Sequence, residues 1–540
     1  MKAWHWLLVG ALGWLIVGGL FWAATKNIRQ VVAANAKRAA VEREERDAPL
    51  PKGRPFTRVE ANTFLDAAER AEKIADSLQR CLAYPDPPGS HWNHEAVVAY
   101  CKYRYQPIIT LEQVRQLIQS GHATQLDKLL AQALQEQKSD PDARGRLDRI
   151  YLSYFDDGSA DTRALISAWI RQSPNSAFTY AASGMAYKAQ AFKARGENYI
   201  SDTPLSNIES MERLAGLADA DLKRAQQMNP AIVPIYIAKI SLGGMTFGNA
   251  YAQDAVEQGL AVAPDDYDLY DRILWLDGPN WGGSLQAMRS AIDKAQLHAH
   301  ANPLLKLLLT KADFYRVNHC ECGNARQLSA YIALLDRLAR GQYLFDAGDA
   351  AHDAGDNSAM VIYTSEELRF NQDEERSRIN RIYGLVDFDR IPWAIAEANA
   401  LIAKSPDDEF AFKARAWAYL IGNDLPHAQQ DFETASRLNP DDGWVLGQLD
   451  SVYMQTKQWD RAWDVANKII QKAPQDTSGW MLRAQIQEQQ PRPGLKDTTD
   501  YLESHFFTDR KNLQFNAYIA HLRAVIAGKT KGPMVLEGHG

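Results

Sequence analysis

At 540 residues the chain has length for several domain-sized units. Charged residues make up 24% of it and the formal net charge is −7. That mildly acidic balance offers no basic footprint for a phosphate backbone and argues against nucleic acid as a partner.

From Trp4 to Ala24 the only ionisable side chain is His5, and the stretch is rich in Leu, Val, Gly and Trp. A helix of this length rises ~31 Å, enough to cross a bilayer. Trp4, Trp6 and Trp22 suit the two interfaces, and Lys26 and Arg29 stop the transfer. Residues 4–24 are therefore expected to form a transmembrane anchor. The rival is a cleaved secretory signal cut near Ala23-Ala24-Thr25, but the apolar run is longer than such signals use and Lys2 alone precedes it. Two indicators of sidedness conflict. Lys26, Arg29, Lys37, Arg38 and Arg43 after the span favour a cytoplasmic body. Four cysteines in two close pairs, Cys81 with Cys101 and Cys320 with Cys322, favour an oxidising compartment. The expectation is a single-pass inner-membrane protein with a periplasmic body, cytoplasmic being the alternative.

Residues 25–56 read as a charged stalk and a Pro-rich linker. An amphipathic helix follows over Thr57–Arg80, with Phe64, Leu65, Ala68, Ala71, Ile74, Ala75 and Leu78 at helical spacing. A second runs from about Asn93 to Tyr105, and a disulfide between Cys81 and Cys101 would clasp the pair. Thr110-Leu111-Glu112-Gln113 is a capping box opening a helix through Ile118, and Gly121 separates it from the next. Prolines at 107, 141, 174, 230 and 264 mark repeating units, the early ones degenerate. The unit after Pro174 carries Tyr180, Gly184 and Tyr187, then Ala218, Leu222 and Ala225, with extra length around Ser201–Asn207. Gly243-Gly244 loosens the helix after Pro230. Tyr267 opens a unit whose turn is Asp277 to Ser284. Beyond it, 321–374 reads as an irregular connector: a helix over Leu328–Leu344, then Asp-Ala-Gly-Asp twice, at 346–349 and 353–356, as turns.

Pro406, Pro440 and Pro474 then fall 34 residues apart. Between the first two lie Phe412, Ala416 and Tyr419, a Gly422-Asn423-Asp424 break, then Ala428, Phe432 and Ala435. The next unit repeats this with Leu446, Leu449, Tyr453, Ala462, Ala466 and Ile469, although Asp450 stands where a small residue is usual. This pattern resembles the tetratricopeptide repeat (TPR), a helical hairpin that stacks on its neighbours. The implied fold is an all-α, TPR-like solenoid, with 57–320 an N-terminal helical domain, 375–490 the repeats, and 491–540 capping helices and a tail. The Trp281-Gly282-Gly283-Ser284 turn before an Ala-rich helix, downstream of a cysteine-bearing segment, is similar to an uncharacterised bacterial TPR-like family known as a domain of unknown function, over about residues 60 to 320. On the residues alone, the glycines permit a tight turn and Trp281 packs beneath it.

Stacked hairpins present a concave surface lined by first helices, where a protein or peptide partner lies. In the repeats the positions expected there are Tyr383, Lys413, Trp417, Trp444, Ser451 and Met454, which suit a mixed apolar and acidic ligand. The chaperone-binding repeats clamp a carboxylate with Lys and Asn; Lys413 matches one place, but Trp417 fills the Asn place. Enzymatic chemistry has two weaker candidates, His91/His94/Glu95 and His319/Cys320/Cys322, whose donors suit a metal such as zinc. Neither has a complete ligand spacing, so no cofactor and no metal are expected. The function expected is a membrane-anchored, non-catalytic scaffold in the bacterial envelope, the alternative being a metal-dependent envelope enzyme.

Overall fold

A computed structural model describes residues 48–198, 202–490, 492–506 and 513–530, all helix, turn and loop without a strand. The expected anchor at 4–24 and nearly all of the stalk's charged part lie outside these residues. Among the described residues no helix is long and apolar enough to cross a membrane. The chain divides into two compact units. The first comprises described residues 48–56, Asp66–Ala350 and Arg369–Asn371, and the second Thr57–Leu65, Ala351–Leu368 and the chain from Gln372 onward.

The helix expected over Thr57–Arg80 is two helices, Arg58–Glu72 and Ser77–Ala83. The break follows from Asp76, whose carboxylate accepts the Gln79 amide at 2.8 Å and so caps a new helix start. The next helix is His94–Tyr105, and Cys81 and Cys101 are bonded, with sulfurs 2.03 Å and Cα atoms 5.7 Å apart. Thr110 and Gln113 form the reciprocal capping box that opens Leu111–Gln119. Around Tyr151, Phe155 and Trp169, all fully buried, the rings meet at 5.2 and 5.6 Å and anchor the core of this unit. Its longest hairpin, Ala177–Arg195 with Leu205–Met228, closes over Gly184, where a Cβ would stand 2.5 Å from Leu222 Cγ and 3.0 Å from the Ala218 carbonyl oxygen. That approach is what the small residue in the pattern provides. Gly243 serves likewise, since a methyl group added there would stand 2.5 Å from Ala252 Cβ, and the backbone from Gly243 to Phe247 widens into a π-helical turn.

The helix expected over Leu328–Leu344 stops at Leu334, and another starts at Gly341. Between them the Leu335 carbonyl accepts the Trp92 indole N–H at 2.8 Å and the Asp336 carbonyl accepts the His91 amide at 2.8 Å. Those acceptors are thereby drawn out of any helical ladder. Of the two Asp-Ala-Gly-Asp segments, 346–349 lies inside the Gly341–Ala354 helix, because Leu344, Ala347, Ala350 and Ala351 make a buried stripe that overrides the turn-forming residues. The second is a turn, with Gly355 at φ +70°.

The repeat is strictly periodic toward the C-terminus. First helices start at Gly341, Glu375, Glu409, Gly443 and Thr477, and second helices at Asn357, Ile391, Leu425 and Trp459. The interval is 34 residues throughout, so the stretch expected as an irregular connector carries the same register from Gly341 onward. Each joining turn has one left-handed residue at the same offset: Gly355, Asp389, Asn423 and Lys457. The following amide bonds five residues back in every case, as Asp356 to Ala351, Arg390 to Leu385, Asp424 to Tyr419 and Gln458 to Tyr453. Asp408, Asp442 and Asp476 cap successive first helices. Side chains repeat too. The buried Arg381–Glu397 pair and the Arg415–Asp431 pair, with Arg415 Nε 2.7 Å from Asp431 Oδ2, join first to second helix one repeat apart. At the next repeat those two positions are the buried apolar residues Leu449 and Val465.

Candidate partner-binding face

Trp417 and Trp444, on the first helices of consecutive repeats, lie with ring centroids 5.7 Å apart at 54°. Trp444 is 39% exposed, a large apolar surface left uncovered, and its ring also meets Phe432 at 5.9 Å. Lys413 Nζ sits 4.9 Å from the Trp444 ring centre and 2.6 Å from Asp442 Oδ2. Asp442 also caps the Trp444 helix through Val445 N, at 3.0 Å. Burial works against the Asp442 carboxylate, yet the bond from Lys413 and the backbone amides of the helix start hold its pKa below the ordinary value. Tyr383 is half-buried, its phenol pushed up by burial and then by the charge of Asp442.

Of the six expected positions, Lys413 and Trp444 thus meet at Asp442, whose charge also reaches Tyr383, and Trp417 joins them through the Trp444 ring. Asp442 was missed in sequence because it reads as a helix cap. The other two interact elsewhere: Ser451 Oγ accepts from Gln455 Nε2 at 3.2 Å, and Met454 packs at the edge of the apolar cluster around Phe432 and Tyr453. One expectation needs correcting. Lys413 does not present a free cation for an acidic ligand, because Asp442 already neutralises it; what the face offers is aromatic surface.

The expected metal-ligating sets do not converge. His91 Nδ1 bonds Asp336 Oδ1 at 2.7 Å on the wall of a cavity of about 550 Å³, while Glu95 pairs with Lys306 at 3.6 Å. His94 begins the next helix and is exposed. Cys320 and Cys322 are bonded to each other, and His319 stacks on Tyr315 at 4.1 Å with its Nδ1 on the Tyr315 carbonyl. At the Trp281 turn, Gly282 has φ +80° and Ser284 caps the following helix through Ala287 N at 3.1 Å. A Cβ on Gly283 would fall 1.9 Å from the Asp277 carbonyl oxygen. Trp281 is half-buried, 4.1 Å from Trp275 and 6.1 Å from Phe192 between ring centroids. Its contacts are those of a packing residue.

Among the described residues the one group with metal-ligand spacing is Asp148, Asp266 and Asp268, whose carboxylate oxygens lie within 4.8 Å of one another. Gln137 donates to Asp148 at 2.6 Å, the Leu269 amide to Asp266 at 2.8 Å, and the Tyr103 hydroxyl to Asp268 at 2.8 Å. Burial, then mutual repulsion, raises the Asp148 carboxyl well above the usual range and pushes Asp268 up to about 7. Burial raises Asp266 as well, so all three carboxyls favour the protonated form. Asp266 faces a cavity of about 280 Å³ shared with Gln137, Gly145 and Asn302. No sequence signal joins Asp148 to the other two, since more than a hundred residues intervene; folding alone brings them together.

Residues 420–486 match the tetratricopeptide repeat family model, and residues 110–241 match a domain of unknown function, DUF4034. The second match ends before the Trp281 turn. Among solved structures, the crystal structure of the P58(IPK) TPR domain at 2.5 Å matches with 10% identity over 58% of this chain and 94% of that chain, at a TM-score of 0.22. No curated protein matches the chain.

Proposed function

We propose that this chain, with tetratricopeptide repeats at 420–486 and a domain of unknown function at 110–241, is a membrane-anchored scaffold that holds a protein or peptide partner on the Trp417–Trp444 face. The observation that carries the reading is the exposure of Trp444 beside Trp417 and a charge-neutralised Lys413. Desolvating that surface favours an apolar or aromatic anchor on the partner, since buried aromatics dominate interface energetics. Residues 4–24 serve as the anchor in this reading, and the body lies on the periplasmic side of the inner membrane, where the Cys81–Cys101 bond persists.

A photo-crosslinking residue placed at Trp444, with one at exposed Arg437 as control, identifies the partner in intact cells. Trp444→Ala is then expected to weaken binding of that partner by about 2 kcal/mol, roughly 30-fold, with helix content unchanged. An affinity unaltered by this change refutes the assignment of the face. Blocking thiols in native membranes before non-reducing peptide mass spectrometry tests the compartment. Joined Cys81 and Cys101 support the periplasmic body, and free thiols move it to the cytoplasm.

A further inference from the structure

Asp450 lies on the Gly443–Gln455 helix with no exposed surface, and neither carboxylate oxygen has a hydrogen-bond partner. It occupies the repeat position held by Ala416 one repeat earlier and by Ala484 one repeat later. The two preceding repeats tie first to second helix with the ion pairs Arg381–Glu397 and Arg415–Asp431, but here the equivalent positions are Leu449 and Val465. The carboxyl is thus placed where no cation answers it. On the helices packed against it, Glu433 bonds Tyr453 and Arg461, Asp431 bonds Arg415, and Arg483 covers Trp463. His427, which bonds Asp424, and Arg437, Asp460, Asp464, Lys468, Lys472 and Glu488 complete the ionisable groups of those helices. None of them contributes to the shift of Asp450, whose carboxyl is raised to about 7 by burial as its single cause.

We propose that Asp450 is a proton-operated latch: protonated, it lets the Gly443–Gln455 helix seat in its hairpin, and ionised, it drives that helix toward an open state. The same helix carries Trp444, so acidification firms the exposed ring of the proposed face. That last link rests on the proposed function; the latch itself does not. The direction follows from linkage. The seated state binds the proton more tightly than the open state, whose carboxyl titrates near the ordinary ~3.9, so the seated state loses stability as pH rises from about 4 to about 7 and changes little above.

Hydrogen exchange of the full chain, corrected for the intrinsic pH dependence of exchange, reads this without any ligand. For amides of residues 443–472 the opening equilibrium is expected to rise about tenfold per pH unit between pH 5 and 6.5. In Asp450→Asn, which keeps the shape, and in Asp450→Ala, which restores the small residue, that slope is expected to vanish. The Asp450→Ala variant guards against failure of the Asn variant to fold. Amides of Glu409–Ile421, whose Arg415 is paired with Asp431, serve as the pH-insensitive reference. A wild-type slope that survives in either folded variant overturns the latch, as does a flat wild-type profile.

Discussion

Removing the Cys81–Cys101 bond with the double change Cys81→Ala and Cys101→Ala tests how the first unit is held at its N-terminal end. Both cysteines are fully buried, and the bond closes a loop of 20 residues' separation across the break between Ser77–Ala83 and His94–Tyr105. In the chain-entropy treatment a loop of that size restricts the unfolded chain by ~3 kcal/mol, or about 150-fold in the unfolding equilibrium. The deleted sulfurs add to that loss and do not offset it. Tyr105 and Arg80 depend on the same region, the Tyr105 hydroxyl donating to the Arg369 carbonyl at 2.8 Å and Arg80 pairing with Glu72 at 2.9 Å. Hydrogen exchange of the His94–Tyr105 amides is the direct assay, with the Gly443–Gln455 amides of the second unit as internal control at one fixed pH. Exchange there is expected to quicken by about two orders of magnitude while the control stays unchanged. Equal protection in oxidised wild type and double variant refutes the reasoning, since the loop would then be ordered without its bridge.

Lys457 holds a left-handed backbone, φ +59°, at the offset where the neighbouring turns use Asp389, Asn423 and Gly355. Lys457→Gly is expected to stabilise the hairpin by ~0.5–1 kcal/mol, seen as a higher urea midpoint, whereas Asn423→Gly should change it less. Asp148→Asn replaces one titrating carboxyl of the buried trio by a neutral amide that donates to Asp266. Because the native carboxyls are raised, the wild-type unit loses stability as pH climbs from about 4 to about 7; the variant should be more stable at pH 7.5 by roughly 2 kcal/mol and show a shallower pH slope in urea denaturation.

Much of the second unit was legible in the chain. Proline spacing, the Gly422-Asn423-Asp424 break and small residues at Ala416 and Ala428 determine helix starts and stops locally, and the local signals agree with the packing they serve. The register before Glu375 was not legible, because the turn-like Asp-Ala-Gly-Asp at 346–349 is overridden by a buried stripe that only long-range packing defines. The break after Leu334 has the same origin, in carbonyls claimed by Trp92 and His91 from far along the chain.

The candidate site divides along that line. The sequence by itself determined which residues a repeat presents on its first helices, since an offset within a 34-residue period fixes a direction from the helix axis. Tertiary structure decided what those residues are worth: it paired Lys413 with Asp442, uncovered Trp444, assembled Asp148 with Asp266 and Asp268, and sealed Asp450 away from every donor. Periodicity is a property of neighbours along the chain, whereas charge compensation and exposure depend on partners that only the folded chain brings within reach.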